Sequence, residues 1–398
     1  MRFASSVTTA GDSAKAVQEL IEPIDARLTP GMVDLAFMFG TSHFDDELDD
    51  VIERLQGTLP GAVIAGCTAQ GTIGCDKELE QGPSMSLLVA SVPDVQIRPF
   101  HVEQTAMESL NTGADWERLV GVSPESDPVF IGLGDPFRLA VYEFIERLNG
   151  AFPGAPFIGG VASAARSPGE NRLIVNGEIY DQGLVGVALT GGLEVKTVVS
   201  QGCRPIGKPF VITKGERNVI HGLGGRAPLE QLQEVLLNLS PEDEQLARDS
   251  LFVGRVIDEY KDSFLRGDFL IQNIIGVDRT SGAIGIAGHA RVGATVQFHV
   301  RDADSADEDL RALLAPHVEA DVAGALLFGC NGRGTHMWPD PGHDAGVLHE
   351  LLGDVPVAGC FCAGEFGPVG GRNFIHGFTA CIALFGGTET AWGDQSDA

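Results

Sequence analysis

No run of about 18 uninterrupted apolar residues occurs in this 398-residue chain, so no transmembrane helix is expected. Positive charge is scarce: 27 lysines and arginines face 55 aspartates and glutamates, for a net charge of −28. That balance argues against nonspecific nucleic-acid binding and against docking on anionic membranes. Cysteine is sparse and odd in number, seven in all, without the density of a disulfide scaffold, which points to a reducing compartment. The N-terminus, MRFASSVTTAGDSAKAVQELIEPI, has neither a charged leader nor a long apolar core and does not read as a signal peptide. The expected location is the cytoplasm. Catalytic signatures are missing as well: no G-x-S-x-G elbow, no H-E-x-x-H zinc helix, no G-x-x-x-x-G-K-[ST] phosphate loop, no C-x-x-C-H haem attachment. These absences favour binding over turnover.

Glycine, by contrast, is plentiful at 52 residues, and it recurs in register. IERLQGTLPGAVIAG (52–66) matches IERLNGAFPGAPFIG (145–159) at a constant offset of 93 residues, and Phe37 and Phe130 keep that offset in the preceding strands. Each copy reads as strand, helix, Pro-Gly turn and a second strand closed by a glycine, such as 34–39 closed by Gly40 and 62–65 closed by Gly66. A looser third copy runs from 324–329 through a helix near 344–352 to 355–359. A further strand follows each copy, at 84–92, 184–190 and 374–385. Duplication at this scale predicts an α/β fold of two domains with internally repeated strand–helix–strand units and mixed sheets. The boundary is placed near His221, giving domains over 1–220 and 221–386, with 387–398 a polar, disordered tail.

Each unit leads into a glycine-bearing loop: CTAQGTIG (67–74, with Cys67 and Gly71), GVASAAR (160–166) and the stretch 360–371. Ligands in open α/β sheets sit beyond the carboxyl ends of strands, so these loops are the expected ligand wall. The densest of them holds Cys360, Cys362, Gly364, Glu365 and Gly367, with His376 beyond. Just past an earlier strand, Cys330, Asn331 and Arg333 share another glycine-rich turn. Cys330 reads equally well as a small buried hydrophobe. Arg333 has the planar fork that grips a carboxylate, and Glu365 can accept from an ammonium or hydroxyl group. Together they suit an amino-acid-like ligand. An alternative is a thiol enzyme using Cys330 or Cys360 with Glu365. A zinc reading of Cys360-x-Cys362 with His336, His343 and His349 fails on spacing.

The run Ala363-Gly364-Glu365-Phe366-Gly367-Pro368-Val369-Gly370-Gly371, followed by His376-Gly377-Phe378-Thr379, resembles the C-terminal signature of the FIST family, the sensory domain of bacterial signal-transduction proteins. Residues 328–334, from Phe328 through Cys330 to Arg333 and Gly334, resemble that family's cysteine-to-arginine turn. The resemblance implies a small-ligand sensor that passes its signal to a separate protein such as a histidine kinase. Some related proteins are haem-binding nitric oxide sensors, which implies His376 as a candidate iron ligand to a noncovalent haem.

Overall fold

The computed structural model describes residues 1–261 and 263–386, so the expectation of a disordered tail over 387–398 lies outside them. By Cα proximity the chain forms two units. Among the described residues one comprises 1–199, 310–375 and 379–386; the other comprises 200–309 and 376–378. The boundary expected near His221 falls inside a strand of the second unit.

The first unit holds three six-stranded sheets. The first runs β1 (Arg2–Thr8), β6 (Met85–Ser91), β2 (Leu35–Thr41), β3 (Val63–Ala69), β10 (Leu173–Val175), β11 (Glu178–Tyr180). The second runs β23 (Arg372–His376), β22 (Glu365–Val369), β9 (Phe157–Val161), β8 (Val129–Gly134), β12 (Leu184–Gly191), β7 (Val95–Val102). The third runs β13 (Glu194–Gln201), β24 (Thr379–Gly386), β20 (Val322–Cys330), β21 (Val357–Cys362), β4 (Thr72–Gly74), β5 (Lys77–Leu79). In each, the two strands of the repeated unit pair in parallel, β2 with β3, β8 with β9 and β20 with β21, joined by α2 (Leu48–Thr58), α5 (Val141–Ala151) or α9 (His343–Leu352). The three copies read from the sequence are therefore three versions of one sheet.

None of the three completes itself. The hairpin that follows each unit crosses to another sheet: β4–β5 to the third, β10–β11 to the first, β22–β23 to the second. Apolar residues of the repeat strands, among them Phe37, Phe39, Cys67, Ile131, Ile158, Phe328 and Cys360, join one core between the sheets. Helices cover the other faces: α1 (Ser13–Asp25) and α2 the first sheet, α4 (Gly113–Val120) and α5 the second, α9 the third. A short α3 (Gln104–Ser109) contributes Met107 to the second of these layers. Asp12 caps α1 through Lys15 N at 2.9 Å, and Pro23 lies inside that helix.

The glycines expected to close the repeat strands lie within them instead. A Cβ on Gly66 would sit 1.9 Å from Met38 O, on Gly159 1.8 Å from Gly132 O, and on Gly359 1.8 Å from Leu327 O. At all three the parallel neighbour's backbone approaches too closely for any side chain. The strands therefore run on, and most of the expected loop at 67–74 and much of that at 360–371 is β-structure. The strand expected over 374–385 divides into β23 and β24.

The second unit is a closed six-stranded barrel, β14 (Cys203–Glu216), β15 (Val219–Leu223), β18 (Ala283–Ile286), β17 (Phe269–Asp278), β16 (Leu251–Val256), β19 (Thr295–Arg301). Leu232 and Val235 of α6 (Pro228–Leu237) are buried in its core, with Leu246 of α7 (Pro241–Asp249) against it. Closure leaves the barrel no free edges. A last helix, α8 (Ala303–Leu314), follows β19. No helix among the described residues is long and apolar enough to cross a membrane.

Candidate functional site

The polar groups singled out in the sequence converge at the carboxyl ends of β20 and β21. Asn331 N donates to Cys362 O at 2.9 Å, and Arg333 N turns back onto Cys330 O at 2.9 Å. Ala363 and Gly364 form the tight link to β22, exchanging backbone bonds with Val161 at 2.9 and 2.8 Å. Gly71 O accepts from Phe361 N at 3.1 Å. Gln70 N donates to Ser163 Oγ at 2.9 Å, and Ser163 Oγ donates to Phe361 O at 2.6 Å. Gln70 and Ser163 stand 93 residues apart, at the same position of two repeats, as residues near an internal symmetry axis should. The three copies thus meet here.

Glu365 opens β22 and is fully buried. Its Oε2 accepts from Thr379 N at 3.2 Å and Thr379 Oγ1 at 2.7 Å. Its Oε1, equally buried, meets no protein donor. Burial raises the carboxyl pKa to about 8, against the Thr379 hydrogen bonds, Cys330 and the charge of Arg333. Asn331 Oδ1, past the end of β20, is also buried without a donor. Gly367 continues β22 as a buried backbone position.

Arg333 is placed differently from the expectation of a ligand-facing fork. It is fully buried and grips Asp344 bidentately, Nε to Oδ2 at 2.6 Å and Nη2 to Oδ1 at 2.7 Å. Asp344 lies in the first turn of α9, where the helix N-terminus favours an anion. Its pKa is pushed up by burial but held below the ordinary range by Arg333. Trp338 covers the guanidinium at 5.0 Å and stacks on His343 at 3.6 Å. A second carboxylate, Glu78 of the crossing hairpin, takes Ala345 N at 2.9 Å and leaves Oε2 buried without a donor. Burial and the charge of Asp344 raise its pKa to about 7. Glu80 binds Thr335 N and Oγ1 at 2.9 and 2.7 Å; Gly334 beside it has a φ of +57°, and a Cβ there would lie 2.6 Å from that carboxylate and push it aside.

Glu78 and Asp344 escaped the sequence reading, and no local signal marks them: one comes from another repeat, the other is a first-turn acid like many. Thr379 lay in view within the His376–Thr379 signature but was assigned no role.

The thiols sit inside strands. Cys360 and Cys362 are 3.7 Å apart, Sγ to Sγ, and Cys67 hydrogen-bonds to Cys360. Burial pushes the Cys360 thiol well up and Cys362 up, the reverse of what an activated nucleophile needs. Cys330 Sγ accepts from Gly332 N at 3.4 Å. Among the described residues no group of three or more His, Cys, Asp or Glu side chains could hold a metal ion. His376 is 5% exposed and already engaged within the protein, so iron ligation would have to displace an existing contact, and the residue does not fit a haem as placed. The clefts of about 510 and 650 Å³ lie elsewhere; the first is lined by Ser5, Cys75, Asp76, His349 and Asp354, among others.

Two carboxyls with raised pKa values set an expected pH profile. Between pH 4.5 and 7 to 8 the folded chain keeps protons that the unfolded chain has lost. Their contribution is therefore fully present below about pH 4.5 and disappears as pH rises through 7 and then 8. A tenfold change in proton affinity corresponds to ~1.4 kcal/mol, so each carboxyl is worth on the order of a few kcal/mol. Urea midpoints at pH 5 to 8 should fall in the wild type and fall less in Glu365→Gln and in Glu78→Gln. Equal slopes in all three proteins would refute the assignment.

Family models match the chain over residues 34–226 (FIST N domain) and 228–368 (FIST C domain). Uncharacterized protein Rv0628c of Mycobacterium tuberculosis (strain ATCC 25618 / H37Rv) is 40% identical over 390 residues, 97% of this chain and 100% of the relative. Uncharacterized protein Mb0898c of Mycobacterium bovis (strain ATCC BAA-935 / AF2122/97) is 37% identical over 388 residues, 97% of this chain and 99% of the relative. Among solved structures, cyanuric acid hydrolase from A. caulinodans aligns over 97% of this chain and 99% of that one, with 9% identity and a TM-score of 0.37.

Proposed function

Because the chain belongs to the FIST family, we propose that it is a small-ligand sensory protein whose ligand is held at the buried carboxyl of Glu365. The observation that carries this reading is Glu365 Oε1, fully buried yet given no donor by the protein. A buried polar atom left unpaired costs about 1–3 kcal/mol, which a ligand partner would recover. Asn331 Oδ1 is a second such acceptor nearby in the chain path.

The site is closed, so access requires movement. β22 pairs with β9 through Glu365↔Gly160 and Phe366↔Gly159, a short contact to part. Binding that shifts β22 is the change a separate signalling protein, such as a histidine kinase, would read in the cytoplasm. The thiol-enzyme alternative has less support at Cys360, whose thiol burial holds in its neutral form.

A thermal-shift screen of metabolites tests the reading. A ligand at 100 times its dissociation constant stabilises the fold by ~2.7 kcal/mol, a rise of several degrees. Glu365→Gln, nearly the same shape, should abolish most of that rise. Ligands that stabilise both proteins equally would place the site elsewhere.

A further inference from the structure

We infer that Glu365 receives a small ligand that donates hydrogen bonds and carries no carboxylate: an amine or amidine in its protonated form. The inference rests on the ligand site proposed above and narrows what that site takes.

Three observations carry it. The first is the state of the acceptor. Thr379 fills Oε2 through its backbone N–H and hydroxyl, while Oε1 is buried with no protein donor. The protein leaves Oε1 to a partner from outside, and an ammonium can occupy it once the carboxyl ionises. The second is the state of the cation. Arg333 would be the natural partner for a ligand carboxylate, but its Nε and Nη2 are committed to Asp344 at 2.6 and 2.7 Å, and Trp338 covers its face. The third is the charge balance. Arg333 and Asp344 cancel, so Glu78 and Glu365 contribute the remaining ionisable acid in this buried region. Burial holds both toward the neutral form, so a ligand carboxylate would enter as an anion whose natural partner, Arg333, is already taken by Asp344. A ligand cation finds its counter-charge by ionising Glu365.

A consequence distinguishes a cationic ligand from a neutral donor. The groups facing Glu365 are Cys330 and Arg333 from the end of β20, Cys362 from β21, and Thr379 and Cys381 from β24. From β9 come Gly159 and Gly160, which carry no side chain. In this setting the empty site holds Glu365 largely protonated at neutral pH. Pairing with an ammonium converts the carboxylic acid to a carboxylate, and the displaced proton leaves to solvent.

Matched pairs test the inference on the wild-type chain: putrescine against ornithine and agmatine against arginine, which differ by one carboxylate. Calorimetry should show the decarboxylated member of at least one pair binding about tenfold or more tightly. Its binding enthalpy should differ between phosphate and Tris buffers by an amount that reports proton release at pH 7. Glu365→Gln, checked by circular dichroism to be folded at pH 6, should lose the binding. If ornithine or arginine binds as well as its partner, or no member of either pair binds, the ligand class is wrong. If a neutral or acidic ligand is found whose binding Glu365→Gln abolishes, the class is wrong while the site stands. If the amines bind equally well to Glu365→Gln, the site itself is wrong.

Discussion

Gly359→Ala should leave little or no folded protein, and Gly66→Ala and Gly159→Ala should behave alike. The added methyl would lie 1.8–1.9 Å from a carbonyl oxygen of the adjacent parallel strand. That obstacle is backbone in the middle of a sheet and cannot turn aside as a side chain can. Forcing the pair apart breaks ladder hydrogen bonds on both sides, so a loss of at least ~4 kcal/mol is expected, in the range reserved for the most damaging substitutions. The control lies in the same repeats. Gly57 in α2 and Gly150 in α5 also stand 93 residues apart, and a Cβ there meets nothing within 4 Å. Alanine at either should stabilise by ~0.4–1 kcal/mol by lowering the entropy of the unfolded chain. Chemical denaturation of the five variants checks both halves. A Gly359→Ala protein as stable as the wild type would mean that the parallel strands do not approach as described.

Asp344→Ala should cost ~3–5 kcal/mol, because it strands the Arg333 charge in the interior. The pair is wholly enclosed, with Arg333 at 0% and Asp344 at 2% exposure, so water cannot take over the carboxylate's role. Arg333→Met should be similarly damaging, leaving Asp344 beside Glu78. The double variant Arg333→Met/Asp344→Leu removes both charges and should recover much of the loss, as apolar replacements of buried ion pairs often do. A strictly additive double variant would show that the two side chains do not act on each other. Ligand affinity offers a second readout: the double variant should still bind the ligand of Glu365, since the fork of Arg333 faces Asp344 and not the ligand.

These two predictions mark where sequence reading succeeded and where it stopped. Repetition at an offset of 93 identified the strand–helix–strand unit, and Glu365 stands out in the letters as an acid among glycines and thiols. Three glycines recur in each of the first two copies, yet the letters do not distinguish the one pressed against a neighbouring carbonyl (Gly66, Gly159) from the one in an open helix (Gly57, Gly150) or the one at a turn with positive φ (Gly61, Gly154). Glycine density was therefore read as loop where the close packing of parallel strands was its cause. Arg333 was misjudged for a related reason. Its partner lies 11 residues on, in the next helix, and Glu78 reaches it from a hairpin more than 250 residues away. Hairpin exchange leaves no periodic trace, because each hairpin looks like the continuation of the unit it follows.

That exchange has a consequence for how the protein is made. The second sheet has its own four strands by residue 191, but its outer hairpin ends at residue 376. At 5–20 residues per second, the ribosome needs roughly 10–40 s to deliver the remaining 185 residues. Throughout that interval the newly made β9 presents an open edge that can be capped only by a segment still awaiting translation, and the nascent chain must be kept from pairing with its neighbours on the same polysome.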